Sequence, residues 1–135
     1  MVKLWITAPN DGTPPLYAFL DTLEEKQRQK IFSLLALLLQ TPEAAMREPY
    51  VKHFGIERYR ALYELRAKSR NLVRITFTLR ENGDLLFLIP FIKRHRRDTM
   101  QALDASLRLL AQCRDGSCSI QELSIKSYTN GGNAT

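Results

Sequence analysis

The chain has 135 residues, 44% of them hydrophobic, which is enough for one modest core, so we expect a single folded unit. Its formal net charge of +6 is concentrated in residues 58–108, which carry twelve Lys and Arg against five Asp and Glu. Cys113 and Cys118 have no histidine cluster nearby, so neither a zinc site nor a disulfide framework is expected. With no signal-peptide pattern and no apolar run long enough to span a bilayer, we expect a cytoplasmic protein that does not contact membranes.

The first half of the chain predicts one strand followed by helix. Residues 2–7 form a short apolar strand. Apolar residues then recur at helical spacing over residues 16–40, with charged residues between them. Because residues 22–25, Thr-Leu-Glu-Glu, fit a capping box, this region is either one helix or a short helix followed by a longer one.

The middle of the chain changes to the period of two that indicates β-strands. Residues 63–66, 72–80 and 85–92 each predict a strand. The second strand has one apolar face and one polar face that includes Arg74, and the third is apolar on both faces, as is typical of a central strand. The Asn82-Gly83 pair between them favours a type I′ hairpin turn.

The C-terminal part predicts a helix capped by Asp98 or Thr99, followed by a polar tail. We expect one domain at residues 1–112 and a flexible tail at 113–135, with at most one short ordered piece at 120–126. The order of elements predicts an α+β fold, with the N-terminal strand, the helices and the C-terminal helix built around a mainly antiparallel sheet. The helices are expected on one face, leaving the arginines of the strands on the opposite face.

Basic side chains on these strands are the candidate functional residues. If the first two strands of the meander pair, Arg66 and Arg74 lie close together on one face. Lys93 and Arg94 emerge at the end of the third strand, so four cations could converge. Fixed cations suit RNA cleavage by 2′-hydroxyl attack, because they stabilise the added negative charge of the transition state without a metal or another cofactor.

The proton carrier of such a reaction has two candidates. His95 has a reference pKa of about 6.5, which permits proton transfer at neutral pH, and Lys93 could serve if cationic neighbours lower its pKa. Three of the candidate site residues also have a purely structural interpretation. His95 could be a solvated residue at a helix start, Arg66 could form a surface ion pair with Glu64, and Arg74 could be a solvated residue of the sheet face.

Four further residues are candidate RNA contacts. Arg96 and Arg97 suit general phosphate contacts, or are simply solvated. Lys52 precedes the meander, and Tyr63 begins its first strand. A tyrosine ring can stack on a base, although aromatic residues in strands pack in the core more often.

Several of these segments together resemble the phage-derived, HigB-like branch of the RelE/ParE toxin superfamily. The matching motifs are Tyr-Glu-Leu-Arg at 63–66, Leu-Val-Arg-Ile-Thr-Phe at 72–77 and the apolar run at 85–91 that leads into Ile-Lys-Arg, with further matches at 19–23 and 51–54. The resemblance covers residues 1–112. It implies a compact RNase-like α+β fold and a toxin of a type II toxin–antitoxin pair that cleaves mRNA on the ribosome without a metal.

The resemblance also implies site residues and partners. Arg66 matches the family's strand arginine, Arg74 the basic residue that contacts the scissile phosphate, and Lys93 with Arg94 the basic pair that closes the last strand. The tyrosine that acts as base in some relatives has no counterpart, so the base remains open. The implied partners are the ribosome with its mRNA and an antitoxin from an adjacent gene, expected to carry a helix-turn-helix domain.

Two other functions fit the same superfamily. ParE-like members share the fold and inhibit DNA gyrase without enzymatic activity, so fold alone does not choose between the two. An inactive relative that binds an antitoxin or nucleic acid is the third possibility.

Overall fold

The computed structural model describes residues 2–9 and 12–124 and confirms the α+β class. Six strands form one sheet in the order β2-β3-β4-β5-β1-β6, in which every neighbouring pair is antiparallel except β1 with β5. The elements are β1 Leu4–Ala8, α1 Pro15–Asp21, α2 Glu25–Gln40, α3 Pro42–Ala45, β2 Val51–His53, a 3₁₀ turn Glu57–Tyr59, β3 Leu62–Lys68, β4 Leu72–Leu79, β5 Leu85–Ile92, α4 Arg96–Asp115 and β6 Ser119–Glu122.

The main core lies between one face of the sheet and the helices α1 and α2. Helix α2 turns an apolar stripe inward because its leucines and Ile31 recur every three or four residues. The buried side chains of this core include Leu20, Ile31, Leu35 and Leu38 from the helices and Ile6, Val73, Ile75, Phe77 and Phe87 from the strands. The apolar face predicted for β4 is therefore confirmed at Val73, Ile75 and Phe77, whereas Leu79, predicted on the same face, is 42% exposed.

Helix α4 covers the other face of the sheet, which corrects the prediction that all helices lie on one side. Leu103 of α4 belongs to a second buried cluster with Leu88 of β5. Ser106 of α4 lies against β4, with its Oγ 2.6 Å from Thr76 Oγ1. Because β5 has helices on both sides, it is apolar on both faces, and its predicted central position is confirmed.

A bulge between β4 and β5 sets the register near the end of the sheet. The pairing shifts between Ile75 and Phe77, where Pro90 of β5 has no N–H to donate. Thr76 compensates, because its Oγ1 accepts the Ile89 N–H at 3.0 Å. Beyond the bulge, Phe91 stands directly opposite Arg74.

The turn between β4 and β5 is not the predicted type I′ turn. That turn needs a positive φ at both central residues, but among the described residues only glycines have one, Gly83 at +90° included. The Gly83 N–H donates to Arg80 O at 2.9 Å, and the Arg80 N–H donates to Asp84 O at 2.7 Å, which defines a three-residue loop closed by a left-handed glycine. The Asn82 side chain instead accepts the Asp84 N–H at 3.0 Å.

The region 16–40 contains two helices, as one of the two predictions had it. The second helix begins after Glu24, whose N–H donates to Gln27 Oε1 at 3.2 Å. Thr22 does not cap it. Its hydroxyl donates to Phe19 O at 2.6 Å and so closes α1.

Ordered structure continues past residue 112, where the domain was expected to end. Helix α4 runs to Asp115, and Gly116 at φ +85° ends it. Strand β6 then pairs with the edge of β1, with Ile6 opposite Gln121. Residues 125–135 of the expected tail lie outside the described residues. Within the described ranges, no helix combines the length and apolar composition that a membrane span requires.

Candidate nucleic-acid interface

Arg66 of β3 and Arg74 of β4 are direct cross-strand partners, on the sheet face that α4 covers further along. Like charges directly opposite each other destabilise a sheet, so this pair requires a counter-charge. Glu64 supplies it from two residues earlier in β3. Its Oε1 accepts the Arg66 Nε–H at 3.0 Å and lies 3.8 Å from Arg74 Nε. We call these three residues the arginine–glutamate cluster.

The arginine–glutamate cluster is largely removed from water. Glu64 is fully buried, and the side chains of Arg66 and Arg74 are 24% and 11% exposed. Burial lowers the pKa of Arg74, the negative charge of Glu64 opposes this shift, and the positive charge of Arg66 adds to it. Arginine nevertheless stays protonated in proteins, so the site holds two weakly hydrated cations.

Two polar atoms of the cluster have no hydrogen-bond partner among the described residues, namely Glu64 Oε2 and Arg74 Nε. The predicted alternative of an Arg66–Glu64 ion pair is confirmed, but the pair is buried rather than on the surface. The alternative of a solvated Arg74 is wrong, because the side chain is 11% exposed.

A cavity at this end of the sheet gives access to both arginines. Besides Arg66 and Arg74, its lining includes Lys68 at the end of β3, Tyr50 before β2 and Lys30 on α2. The cavity therefore combines cations with one exposed aromatic ring. A phosphate group with an adjacent base or ribose is a ligand of matching chemistry.

The two lysines proposed from sequence, Lys93 and Lys52, do not line this cavity. Phe91 of β5 is the register partner of Arg74. Two residues further along, the Lys93 N–H donates to Leu72 O at 2.8 Å. Lys52 of β2 is the register partner of Glu64, and its Nζ lies 5.5 Å from the centroid of the Phe54 ring.

Arg94 and His95 line a different cavity, between β5 and the first turns of α4, whose lining includes neither Arg66 nor Arg74. The backbone N–H groups of Arg94 and His95 both donate to Asp98 Oδ2, at 2.8 Å each. These two hydrogen bonds hold the pKa of Asp98 below its usual value. Of the four predicted cations, Arg66 and Arg74 thus line one cavity, Arg94 lines another, and Lys93 lines neither.

The remaining candidates are more scattered. Arg96 and Arg97 occupy the exposed first turn of α4. Tyr63 lies on the opposite face of β3 from Arg66, where its ring stacks between His53 and Phe77 at centroid distances of 4.4 and 5.4 Å. Tyr63 therefore packs against other aromatic side chains, as aromatic residues in strands usually do, rather than standing ready to stack on a base.

Comparison with protein families now adds an independent observation. The family model described as Phage derived protein Gp49-like (DUF891) matches residues 18–111. The chain belongs to the Gp49-like family. This is a RelE/HigB-type toxin-like family, and it is related to RelE-like toxins, which are endoribonucleases. A search of curated proteins found no match.

The region that matches the Gp49-like family contains both cavities and the whole arginine–glutamate cluster. Sequence reasoning missed Lys30 and Lys68 as residues of the site. Lys68 carried a signal, since it follows Arg66 by two residues on the same strand face, whereas a solvent-facing lysine on a helix such as Lys30 carries none. In the described part of this Gp49-like chain, no three His, Cys, Asp or Glu side chains lie together as a metal site would require.

Proposed function

We propose that this Gp49-like protein is the toxin of a type II toxin–antitoxin pair and acts in the cytoplasm as a ribosome-dependent endoribonuclease that cleaves mRNA. The observation that carries the proposal is the pair of arginines, Arg66 and Arg74, which stand opposite each other in the sheet and line the same cavity. The relationship of the family to RelE-like toxins supports the same reaction.

In the proposed reaction the ribose 2′-oxygen attacks the adjacent phosphorus. A new bond forms between the 2′-oxygen and phosphorus while the bond from phosphorus to the 5′-oxygen breaks, which leaves a 2′,3′-cyclic phosphate and a 5′-hydroxyl. The transition state carries more negative charge on the phosphate than the substrate does. Arg66 and Arg74 stabilise this charge, and their partial burial strengthens the effect because the effective dielectric constant is lower than in water.

Two proton transfers accompany this displacement. One group accepts the proton of the 2′-hydroxyl, and another donates a proton to the leaving 5′-oxygen. The backbone of Lys93 pairs with Leu72, two residues before Arg74 in β4, and His95 is exposed in the cavity that Arg94 also lines. Lys93 and His95 stay the two candidates for proton transfer, with Arg94, Arg96, Arg97 and Lys52 as proposed phosphate contacts along the RNA.

An antitoxin would neutralise the toxin by covering this cationic surface with acidic side chains. We expect it to be encoded by the adjacent gene and to carry a helix-turn-helix domain. Co-expression of that neighbour with the toxin should restore growth and yield a complex that purifies as one species.

Controlled expression in a bacterium that lacks the antitoxin tests the proposal. Messenger RNA 5′ ends and growth are measured for the wild type, for Arg74→Ala and for Arg108→Ala, a matched control because Arg108 is exposed on α4. We expect new 5′ ends inside translated messages for the wild type and Arg108→Ala but not for Arg74→Ala. Growth arrest with DNA damage and without such ends would favour the gyrase inhibitor, and no arrest would favour an inactive relative.

A further inference from the structure

Glu64 is a fully buried carboxylate at the centre of the candidate site, and the reaction proposed above does not use it. Its Oε1 faces the Nε atoms of both Arg66 and Arg74, at 3.0 and 3.8 Å. Its Oε2 has no hydrogen-bond partner among the residues described. An ionised carboxylate is retained at such a depth only when cations compensate it.

We infer that Glu64 is a positioning residue, which orients both guanidinium groups and limits the charge of the arginine pair to what one phosphodiester requires. The kinetic part of this inference rests on the proposed ribonuclease function, and the geometric part does not. Because the Nε side of each guanidinium faces Glu64, the terminal Nη groups are the ones left to bind a substrate oxygen. On Arg66 the substrate would compete with the exposed Glu48 carboxylate, whose Oε1 lies 3.9 Å from Nη1.

The charges of the cluster explain why a carboxylate belongs there. Two arginines and one glutamate leave one net positive charge, which matches the single negative charge of a phosphodiester. Without Glu64 the pair would carry two positive charges that repel each other directly across the strands. The extra charge would bind RNA more tightly in the ground state, but binding that is not specific to the transition state does not accelerate cleavage.

The test is Glu64→Gln, which keeps the shape of the side chain and removes its charge. We expect this variant to bind a short single-stranded RNA several-fold more tightly than the wild type. The plot of the logarithm of affinity against the logarithm of salt concentration should steepen by up to about 0.7, the value for one added phosphate contact on a single strand. Single-turnover cleavage of mRNA on the ribosome should fall at least about 10-fold, because the guanidinium groups lose their fixed orientation.

Glu48→Gln is the matched control. Glu48 Oε1 lies 3.9 Å from Arg66 Nη1, but its side chain is 71% exposed. The substitution changes the net charge of the protein by the same amount and touches the same arginine. We expect cleavage and RNA affinity close to those of the wild type, since exposed ion pairs contribute little.

Opposite shifts of binding and cleavage support the inference, whereas a purely structural role would lower both together. A Glu64→Gln variant that folds and retains wild-type cleavage, or that loses affinity and cleavage in proportion, overturns it. If that variant does not fold, ¹⁵N-edited NMR of the wild type decides, because the Arg66 Nε–H should exchange with water much more slowly than that of exposed Arg108. Equal exchange rates overturn the inference. If the wild type does not cleave mRNA, the proposed function fails, and the affinity and exchange measurements still decide the role of Glu64.

Discussion

Asp84 links the start of β5 to the N-terminal strand by accepting hydrogen bonds from Lys3 and Trp5. Its Oδ2 accepts the indole N–H of Trp5 at 2.9 Å, and its Oδ1 accepts the Lys3 N–H at 3.0 Å. These hydrogen bonds, chiefly that of Trp5, hold the pKa of Asp84 below its usual value. The guanidinium of Arg80 stacks over the same indole ring, with its central carbon 5.0 Å from the ring centroid.

The lowered pKa predicts how stability depends on pH. The ionised carboxylate stabilises the folded state fully above the unfolded pKa of about 3.9, and this contribution is lost as pH falls through the lower folded pKa. Stability should therefore decrease with falling pH below about 4, and Asp84→Asn should flatten that decrease. The free energy of unfolding is measured by urea titration at several pH values. The fluorescence of Trp5, the single tryptophan, reports unfolding. A decrease of the same steepness in Asp84→Asn would contradict the assignment.

The contrast between two glycines tests the turn that joins β4 and β5. Gly83 has a φ of +90°, whereas Gly55 has no positive φ, and a Cβ added at either position meets open space. Gly83→Ala should lower the free energy of unfolding by about 1 kcal/mol, because the left-handed conformation is strained for alanine. Gly55→Ala should be neutral or raise it by up to about 1 kcal/mol, by restricting the unfolded chain. Equal midpoints of urea unfolding for the two variants would contradict this account of the turn.

The strands and helices that bury apolar side chains were predictable from periodicity. Alternation in β4 identified the buried face that contains Val73, Ile75 and Phe77, and helical spacing identified α2 and α4. Periodicity does not determine which face of a sheet a helix covers, so the prediction that α4 lies on the same face as α1 and α2 was wrong. Strand β6 pairs with β1 through backbone hydrogen bonds, and its largely exposed side chains leave little pattern in the sequence.

The candidate site was predictable as far as strand register determines it. Pairing of β3 with β4 was enough to place Arg66 opposite Arg74. Burial of the pair depends on tertiary packing, which no local pattern encodes. Arg94 and His95 separate from it because β5 ends at Ile92 and the chain turns into α4.

At the scale of the whole molecule, this Gp49-like chain has two cavities that basic side chains help to line. In residues 58–108, twelve Lys and Arg stand against five Asp and Glu, and four of the twelve, Arg66, Lys68, Arg74 and Arg94, line these cavities. We propose that this surface cleaves mRNA on the ribosome and that Arg74 stabilises the transition state.

The most direct test is single-turnover cleavage by the purified protein of mRNA bound to programmed ribosomes. We expect fragments that end in a 2′,3′-cyclic phosphate and a 5′-hydroxyl. We also expect a rate about 10²-fold or more lower for Arg74→Ala and an unchanged rate for Arg108→Ala. Absence of cleavage by the wild type, or equal rates for the two variants, would contradict the proposed function.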